Sequence, residues 1–361
     1  VAAIVASLSP DHVVPVGALA GMTFREVVED SIDWMGAGQN AGSDPNWSGT
    51  SFFWDGRGGW TYTPESASTR SDMSVNSWFY ISMEGAMEIF GIDVPAWIKK
   101  EVEFTLLGHM LGAIGDVPFG YTRRESVGHP NAMATTAAGL TGIALAQTGE
   151  TPGDVIAQYT SYGIDTLEQM RSNALGHMGA EWDHAGATTL GGGNRGNLYV
   201  MWTTARALRA TARALGLAEE ENVLLDHMGQ AFDWETGAAP GSTTVPQAGP
   251  TEGYWNYLVR TQDQSADLAL RGRWGPYQGS HVQATAFAIL VLTRNVFLDP
   301  CPNLVSIPVE SLDPPPGGSF EALTPFTFSG RAVRAGASRP IVSVEVNGVP
   351  VESLDANGQF F

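Results

Sequence analysis

The sequence predicts a mainly α-helical fold of stacked helical hairpins, followed by a short β-rich tail. An internal repeat is the first reason, because a glycine-aromatic loop precedes an apolar helix three times: Gly59-Trp60-Thr61-Tyr62 before Asp72, Phe119-Gly120-Tyr121 before Asn131, and Gly272-Arg273-Trp274-Gly275 before His281. Helices this apolar need partners, so neighbouring units must stack into one continuous core. The second reason is an abrupt change in composition after Phe297.

The first three helices have clear start and stop signals. Thr23 and Glu26 have the spacing of a capping box, which predicts a helix over 22–35. A second helix is predicted over 73–90, because Gly91 can take the left-handed conformation that ends helices. The third starts at Val94-Pro95, since proline suits the first helical turn.

Further helices are predicted over 131–147, 154–173, 197–215, 218–234, 253–264 and 282–293. Very apolar helices alternate with amphipathic ones along this series. Such alternation indicates an inner ring of helices wrapped by an outer ring.

The composition of residues 299–319 is that of a stiff linker rich in proline and glycine. Period-two alternation then predicts strands over 326–330 and 341–346, and Asn347-Gly348 is a strong hairpin signal. A β-sandwich needs about seven strands. The sheet of residues 320–361 is therefore expected to be incomplete, with an open edge that favours pairing with another chain.

Charge and cysteine content limit the partners. The formal net charge is -19, and Lys99 and Lys100 are the only lysines. Nucleic acids and anionic membranes attract clustered cations, so neither is expected to bind. Val1–Leu8 is too short for a membrane span, and none is predicted. The single cysteine, Cys301, excludes an internal disulfide and leaves an inert thiol or a bond to another segment or subunit.

The repeat resembles the prenyltransferase and squalene-cyclase repeat superfamily over residues 22–297. The residues that carry the resemblance are a glutamine, a glycine and a tryptophan, present as Gln39 with Gly59-Trp60 and as Gln264 with Gly272-Arg273-Trp274. The resemblance implies an α/α toroid over 1–298. Two further stretches, 71–75 and 91–97, look like bacterial toroids from large exported proteins.

The tail is similar to bacterial immunoglobulin-like modules, which follow one another on cell surfaces. The similarity lies in Val344-Glu345-Val346-Asn347-Gly348-Val349-Pro350-Val351 and Asp355-Ala356-Asn357-Gly358. It implies an extracellular or cell-surface location and an immunoglobulin-like β module, here truncated, at the end of the chain.

The known chemistries of this superfamily lack their residues in this sequence. The Asp-x-Asp-Asp motif of the cyclases, in which neighbouring carboxyls keep an acid protonated, is absent. Cys301 lies outside the toroid, so neither the prenyltransferase zinc site nor a thioester with a nearby glutamine can form in the usual way.

No metal is predicted, although two kinds of site have suitable residue types. Glu181, Asp183 and His184 lack the spacing that zinc ligands need, because adjacent residues point apart. Calcium is an alternative at 43–46 and at 355–358, whose oxygen-bearing residues also suit ordinary turns. The remaining histidines are scattered and fit structural roles.

One mouth of the predicted ring gathers aromatic and charged side chains suited to a carbohydrate or an apolar ligand. These candidate ligand-binding residues are Trp60, Tyr62, Asp72, Tyr121, Arg123, Trp182, Trp274 and Tyr277. The alternative is that the aromatics only brace the loops against the helices. Asn46-Trp47-Ser48 also matches a glycan acceptor.

Three functions remain open. The first is an exported structural or adhesive protein, whose toroid is carried on immunoglobulin-like modules, associates with itself or with other surface proteins, and binds glycan. The second is a polysaccharide lyase or hydrolase, with Tyr62, Asp72, Arg123 or His129 as acid-base groups. The third is terpenoid binding or processing, for which a deep dry cavity would be needed.

Overall fold

The computed structural model describes two separate units of the chain, Val1–Phe297 and Leu298–Phe361. The described residues are 1–5, 9–40, 56–62, 71–110, 119–122, 132–160, 163–183, 193–214, 223–226, 228–240, 242, 248–265, 271–276, 280–292, 305–306, 330–331, 333–334, 345–346, 349–350 and 359–360. The predictions made for Arg123, His129, His184, Tyr277 and Cys301, for 43–48 and for 355–358 lie outside them.

The first unit is mainly helical, as predicted. Its described helices are α1 (Ala2–Val5), α2 (Phe24–Ala37), α3 (Met73–Phe90), α4 (Ala96–His109), α5 (Met133–Gln147), α6 (Leu167–Ala180), α7 (Leu198–Ala214), α8 (Tyr254–Thr261) and α9 (His281–Leu292). A short antiparallel pair, β1 (Val223–Leu225) and β2 (Ala231–Asp233), lies between α7 and α8.

The predicted helix signals act where the sequence places them. Thr23 and Glu26 form both bonds of the capping box at the start of α2. The carboxylate of Asp72 caps α3, which ends at Gly91 in the left-handed conformation with φ 61°. Local residues therefore suffice to set both ends of α3.

The helix predicted over 154–173 is wrong. The chain forms a single 3-10 turn at Ile156–Gln158 and then α6, which Thr166 caps. The buried carboxylate of Glu103 on α4 accepts the backbone N–H groups of Gly153 at 2.8 Å and Val155 at 3.0 Å. These are amides of the kind that a helix start leaves unpaired, so the bonds anchor the turn on α4. The break follows at Gly163, which has φ 78°, and Thr166 then starts α6.

The helix predicted over 218–234 is also wrong, because this region contains the β1–β2 hairpin. The Asp226 carboxylate accepts the N–H groups of Met228 and Gln230, and Gly229 has φ 77°. Asp226 and Gly229 are strong turn formers. They end the apolar run Val223–Leu225 before it can complete a helix.

Four alternate helices, α3, α5, α7 and α9, lie side by side and run in the same direction. Contacts near both ends of each helix pair show the direction. Between α3 and α5 they are Tyr80 with Gly142 and Met87 with Thr148. Between α3 and α7 they are Trp78 with Trp202 and Glu88 with Arg213, and between α7 and α9 they are Trp202 with Phe287 and Arg209 with Val291. In each set residue numbers rise together. The other helices pack against this row; α4 runs antiparallel to α5, because Leu106 meets Gly142 whereas Lys99 Nζ donates to the Thr148 carbonyl at 3.2 Å.

Two glycine-aromatic loops share one set of hydrogen bonds. The first loop joins Gln39-Asn40 to Gly58-Gly59-Trp60, and the last loop joins Gln262-Asp263 to Gly272-Arg273-Trp274. In each loop the glutamine Nε2 donates to the glycine carbonyl, at 2.7 Å in the first loop and 2.8 Å in the last. Two backbone N–H···O bonds join the two segments, at 2.7 and 2.9 Å in the first loop and both at 2.8 Å in the last. The tryptophan Nε1 donates to the carbonyl four residues before the glutamine, at 2.7 Å in the first loop and 2.8 Å in the last. The glutamine that braces the last loop is therefore Gln262, which corrects the prediction of Gln264.

The second unit contains short antiparallel strand pairs in its described part. These are β3 (Val305–Ser306) with β5 (Val333–Arg334), β4 (Gly330–Arg331) with β8 (Gln359–Phe360), and β6 (Glu345–Val346) with β7 (Val349–Pro350). Val346 pairs with Val349, so β6 and β7 flank Asn347-Gly348 as the hairpin prediction requires.

Candidate functional site

The start of α3 carries a cluster of polar groups. The Asp72 carboxylate accepts the backbone N–H of Ser74 at 2.8 Å, its hydroxyl at 2.6 Å and the N–H of Val75 at 3.3 Å. A carboxylate at this position satisfies amides that the helix leaves unpaired and interacts favourably with the helix dipole. The cap therefore fixes Asp72 and Ser74 at the end of the helix.

Tyr121 joins the same cluster from the segment that follows α4. Its carbonyl accepts the Met73 N–H at 2.8 Å, and its hydroxyl lies 3.4 Å from Ser74 Oγ. Burial raises the pKa of Tyr121, and the nearby Asp72 and Tyr62 raise it further. The phenol therefore stays protonated and serves as a hydrogen-bond donor. Tyr62 is 77% exposed and presents its ring to solvent beside it.

Ser71 and His109 form a buried pair beneath these groups. Ser71 Oγ lies 2.5 Å from His109 Nε2, and His109 Nδ1 lies 2.9 Å from the Gly120 carbonyl. A carbonyl only accepts, so Nδ1 carries the proton and Nε2 accepts from the serine hydroxyl. Burial lowers the pKa of His109 to about 4, against smaller opposing effects of Gly120 and Asp72. The imidazole is therefore neutral near pH 7.

Trp60 supports the cluster from below with its backbone and ring. Its carbonyl accepts the Asp72 N–H at 2.9 Å, and its own N–H donates to Asn76 Oδ1 at 2.7 Å. The indole is fully buried, stacks on Phe79 at 4.7 Å between centroids and donates to the Met35 carbonyl. Trp60 thus fixes the position of α3, and its ring faces the chain's own core.

Trp182 and Trp274 lie at other places in the helical unit. The Trp182 indole donates to the Glu252 carbonyl at 3.1 Å and stacks on Tyr254 at 4.5 Å. The Trp274 indole donates to the Leu258 carbonyl at 2.8 Å. Both rings are buried and brace loops against helices. Of the eight predicted ligand-binding residues, the start of α3 thus brings together Trp60, Tyr62, Asp72 and Tyr121.

We call the polar groups at the start of α3 the α3 rim, formed by Tyr62, Ser71, Asp72, Ser74, His109 and Tyr121. Ser71, Ser74 and His109 were not among the predicted site residues. The serines could have been found from their positions around a helix cap. His109 ends α4 and gives no local signal, because its contact depends on how α4 packs.

Across the described ranges, no three histidine, cysteine, aspartate or glutamate side chains are grouped as metal ligands. None of the helices described is both long and apolar enough to cross a membrane. Comparison of the chain with protein-family models, curated proteins and solved structures gave no match.

Proposed function

We propose that this chain is an exported adhesive protein, in which an α/α toroid binds glycan at the α3 rim and a β module carries and links the toroids. The row of parallel helices α3, α5, α7 and α9 supports the toroid, because inner helices of such a ring all run one way. The antiparallel packing of α4 on α5 supports an outer helix in the same scheme.

The observation that carries the glycan assignment is the meeting of Tyr62, Asp72 and Tyr121 at one helix end. Sugars bind where an aromatic face lies beside a few fixed donors and acceptors. Tyr62 offers the exposed ring, the Tyr121 phenol donates, and the carboxylate of Asp72 accepts. Asp72 and Tyr121 are held at the helix cap, which reduces the entropy lost when a ligand binds.

The protonation states of the α3 rim favour binding over proton transfer. The raised pKa of Tyr121 and the lowered pKa of His109 keep each group in one form near neutral pH. A general acid or base works best when its pKa lies near the operating pH. The second candidate, a polysaccharide lyase or hydrolase, is favoured by one observation, the hydrogen bond from Ser71 to the neutral His109.

The linking role belongs to the second unit. Its described strands are two residues long and paired antiparallel. An incomplete immunoglobulin-like sheet has an edge with unpaired backbone groups, and such an edge accepts a strand from another chain. This supports self-association of the exported protein on the cell surface.

Affinity electrophoresis of the full chain in gels containing xylan, alginate or pullulan tests the glycan assignment. We expect retardation by at least one polysaccharide, and Tyr62→Ala should weaken it roughly tenfold, about 1.4 kcal/mol. Trp97→Ala is the matched control, because Trp97 is 48% exposed at the start of α4, away from His109 at its other end.

Equal retardation of Tyr62→Ala and Trp97→Ala, or no retardation by any of the three, contradicts glycan binding at this rim. Release of reducing ends or of unsaturated sugars, lost in His109→Gln, would favour the enzyme instead. Negative-stain images of the same full-chain preparation test the linking role. Filaments or lattices are expected, and dispersed single particles count against it.

A further inference from the structure

A second set of aromatic side chains lies between α3, α7 and α9, away from the α3 rim. The Trp202 ring is 5.0 Å from Trp78, 6.1 Å from Tyr199 and 5.4 Å from Phe287, measured between centroids. Trp78 is 47% exposed, whereas Trp202 is buried. We call these four residues the aromatic layer. It offers an apolar surface with one accessible side at Trp78.

A buried arginine lies one turn beyond the aromatic layer on α7. Arg206 is 6% exposed, and its guanidinium carbon is 5.8 Å from the centre of the Trp202 ring. Nη2 donates to Thr141 Oγ1 at 3.0 Å. Nε and Nη1 have no hydrogen-bond partner among the described residues. Buried N–H groups of a charged side chain are costly to leave unpaired, so a missing acceptor is indicated.

The charged groups around Arg206 decide the sign of that acceptor. Glu84 on α3 faces it, and burial raises the pKa of Glu84 to about 7, while Arg206 and Arg213 lower it. Glu88 forms an ion pair with Arg213. Within the part of the chain that the structure describes, two N–H groups of Arg206 stay unpaired beside these charges, and the acceptor that guanidinium N–H groups bind most strongly is an anionic one. An anion is therefore favoured, and a cation held against the aromatic layer would be repelled.

The distance between the two parts sets the form of the ligand. Trp202 and Arg206 are four residues apart on α7, so they lie on one face of the helix about 6 Å apart along its axis. One molecule can therefore touch both if an apolar body adjoins a single anionic group. A carboxylate is the group that guanidinium N–H donors and a protonated glutamate both bind well.

We infer that this site binds an apolar organic acid, whose carboxylate accepts the unpaired N–H groups of Arg206 and whose body packs on the aromatic layer. The inference does not depend on glycan binding at the α3 rim, because no residue is shared. It also gives the exposed Trp78 a role as the accessible side of the site.

Titration of the full chain with dodecanoate and with naphthalene-2-carboxylate, followed by tryptophan fluorescence and calorimetry, tests the inference. Saturable binding of at least one acid is expected. Dodecan-1-ol, which has an apolar chain of the same length and no charge, should bind at least about tenfold more weakly. Choline is the cationic probe, and no binding is expected.

Three variants locate the acid. Arg206→Met should lose binding roughly tenfold or more, and Glu84→Gln should tighten it, because the competing carboxylate is gone. Arg273→Met, on a surface loop, is the matched control and should bind as the unaltered chain does. Because Arg206→Met leaves Glu84 buried and unpaired, the double variant Glu84→Gln/Arg206→Met is also measured, and it should bind acid and alcohol equally.

Circular dichroism of each variant shows whether it is folded, and Trp78→Ala, at a half-exposed position, should weaken acid and alcohol alike. The inference is overturned if neither acid binds, if dodecan-1-ol matches dodecanoate, if choline binds, or if folded Arg206 variants bind acid as the control does.

Discussion

The first and last glycine-aromatic loops use the same hydrogen bonds in different surroundings. In the first loop Gln39 is 6% exposed, and its amide donates both to the Gly58 carbonyl and to the Ile98 carbonyl of α4. In the last loop Gln262 is half-buried and donates to Gly272 alone among the bonds described. The motif thus sets the local geometry of both loops. The helix packed against each loop determines how much that loop contributes to the free energy of unfolding.

The largest difference in stability between the two loops is expected when their glycines are substituted. Gly58 and Gly272 both have positive φ, 79° and 83°. A Cβ at Gly58 would overlap the Glu101 carbonyl oxygen of α4, whereas the nearest atom at Gly272 is Gln262 Nε2 at 3.8 Å. Gly58→Ala should therefore cost more than about 4 kcal/mol or prevent folding, and Gly272→Ala only about 1 kcal/mol of backbone strain.

Urea unfolding monitored by tryptophan fluorescence measures both variants. Gly91→Ala, whose glycine has φ 61° and an open surrounding, serves as a control for left-handed strain alone. Losses of similar size at Gly58 and Gly272 would show that α4 does not confine the first loop.

Histidines give the second difference. His109 Nδ1 bonds the Gly120 carbonyl and His281 Nδ1 bonds the Trp274 carbonyl, each at 2.9 Å. Of these two histidines His109 is the buried one, and burial lowers its pKa from 6.5 to about 4. Its unfolded form takes up the proton first, so stability present above pH 6.5 should be lost as the pH falls towards 4. The gap corresponds to roughly 3 kcal/mol.

The raised pKa of Glu84 gives stability the opposite pH dependence, so the contribution of His109 is best measured in a variant that lacks the Glu84 carboxyl. Its pKa is raised from 4.5 to about 7, so the stability it contributes is present below pH 4.5 and is lost as the pH rises through 7. In Glu84→Gln the free energy of unfolding should fall steeply between pH 6.5 and 4. A Glu84→Gln/His109→Gln double variant should lose most of that slope, and an unchanged slope would contradict the assignment to His109.

Local residues predict part of this molecule well. The bounds of α3 follow from Asp72 and Gly91, which act within one turn of the helix end. The helix expected over 154–173 is broken at Gly163, which has φ 78°, and the turn before it is bound by Glu103, fifty residues earlier. Only packing brings such partners together, so a pattern of apolar residues cannot reveal them.

The candidate site divides in the same way. Tyr62, Asp72 and Tyr121 follow glycine-aromatic loops or open a helix, so the repeat itself indicates that they lie at one end of the unit. Ser71 meets His109 only because α4 returns antiparallel beside α5 and delivers its last residue to the start of α3. That contact depends on helix order, which the sequence pattern does not specify.

The glutamines should give the smallest difference, and one that isolates the bond to α4. Gln39→Ala removes two donors from buried carbonyls and should cost about 2 kcal/mol, whereas Gln262→Ala removes one at a half-buried position and should cost about 1 kcal/mol. Double variants with the neighbouring tryptophan, Trp60→Ala or Trp274→Ala, measure the coupling between amide and indole in each loop. If the two loops are stabilised by the same side-chain interaction, the two coupling energies should agree even though the single variants lose different amounts of stability. Coupling in one loop alone would mean that the two loops share backbone geometry but that the glutamine and tryptophan side chains do not stabilise both loops in the same way.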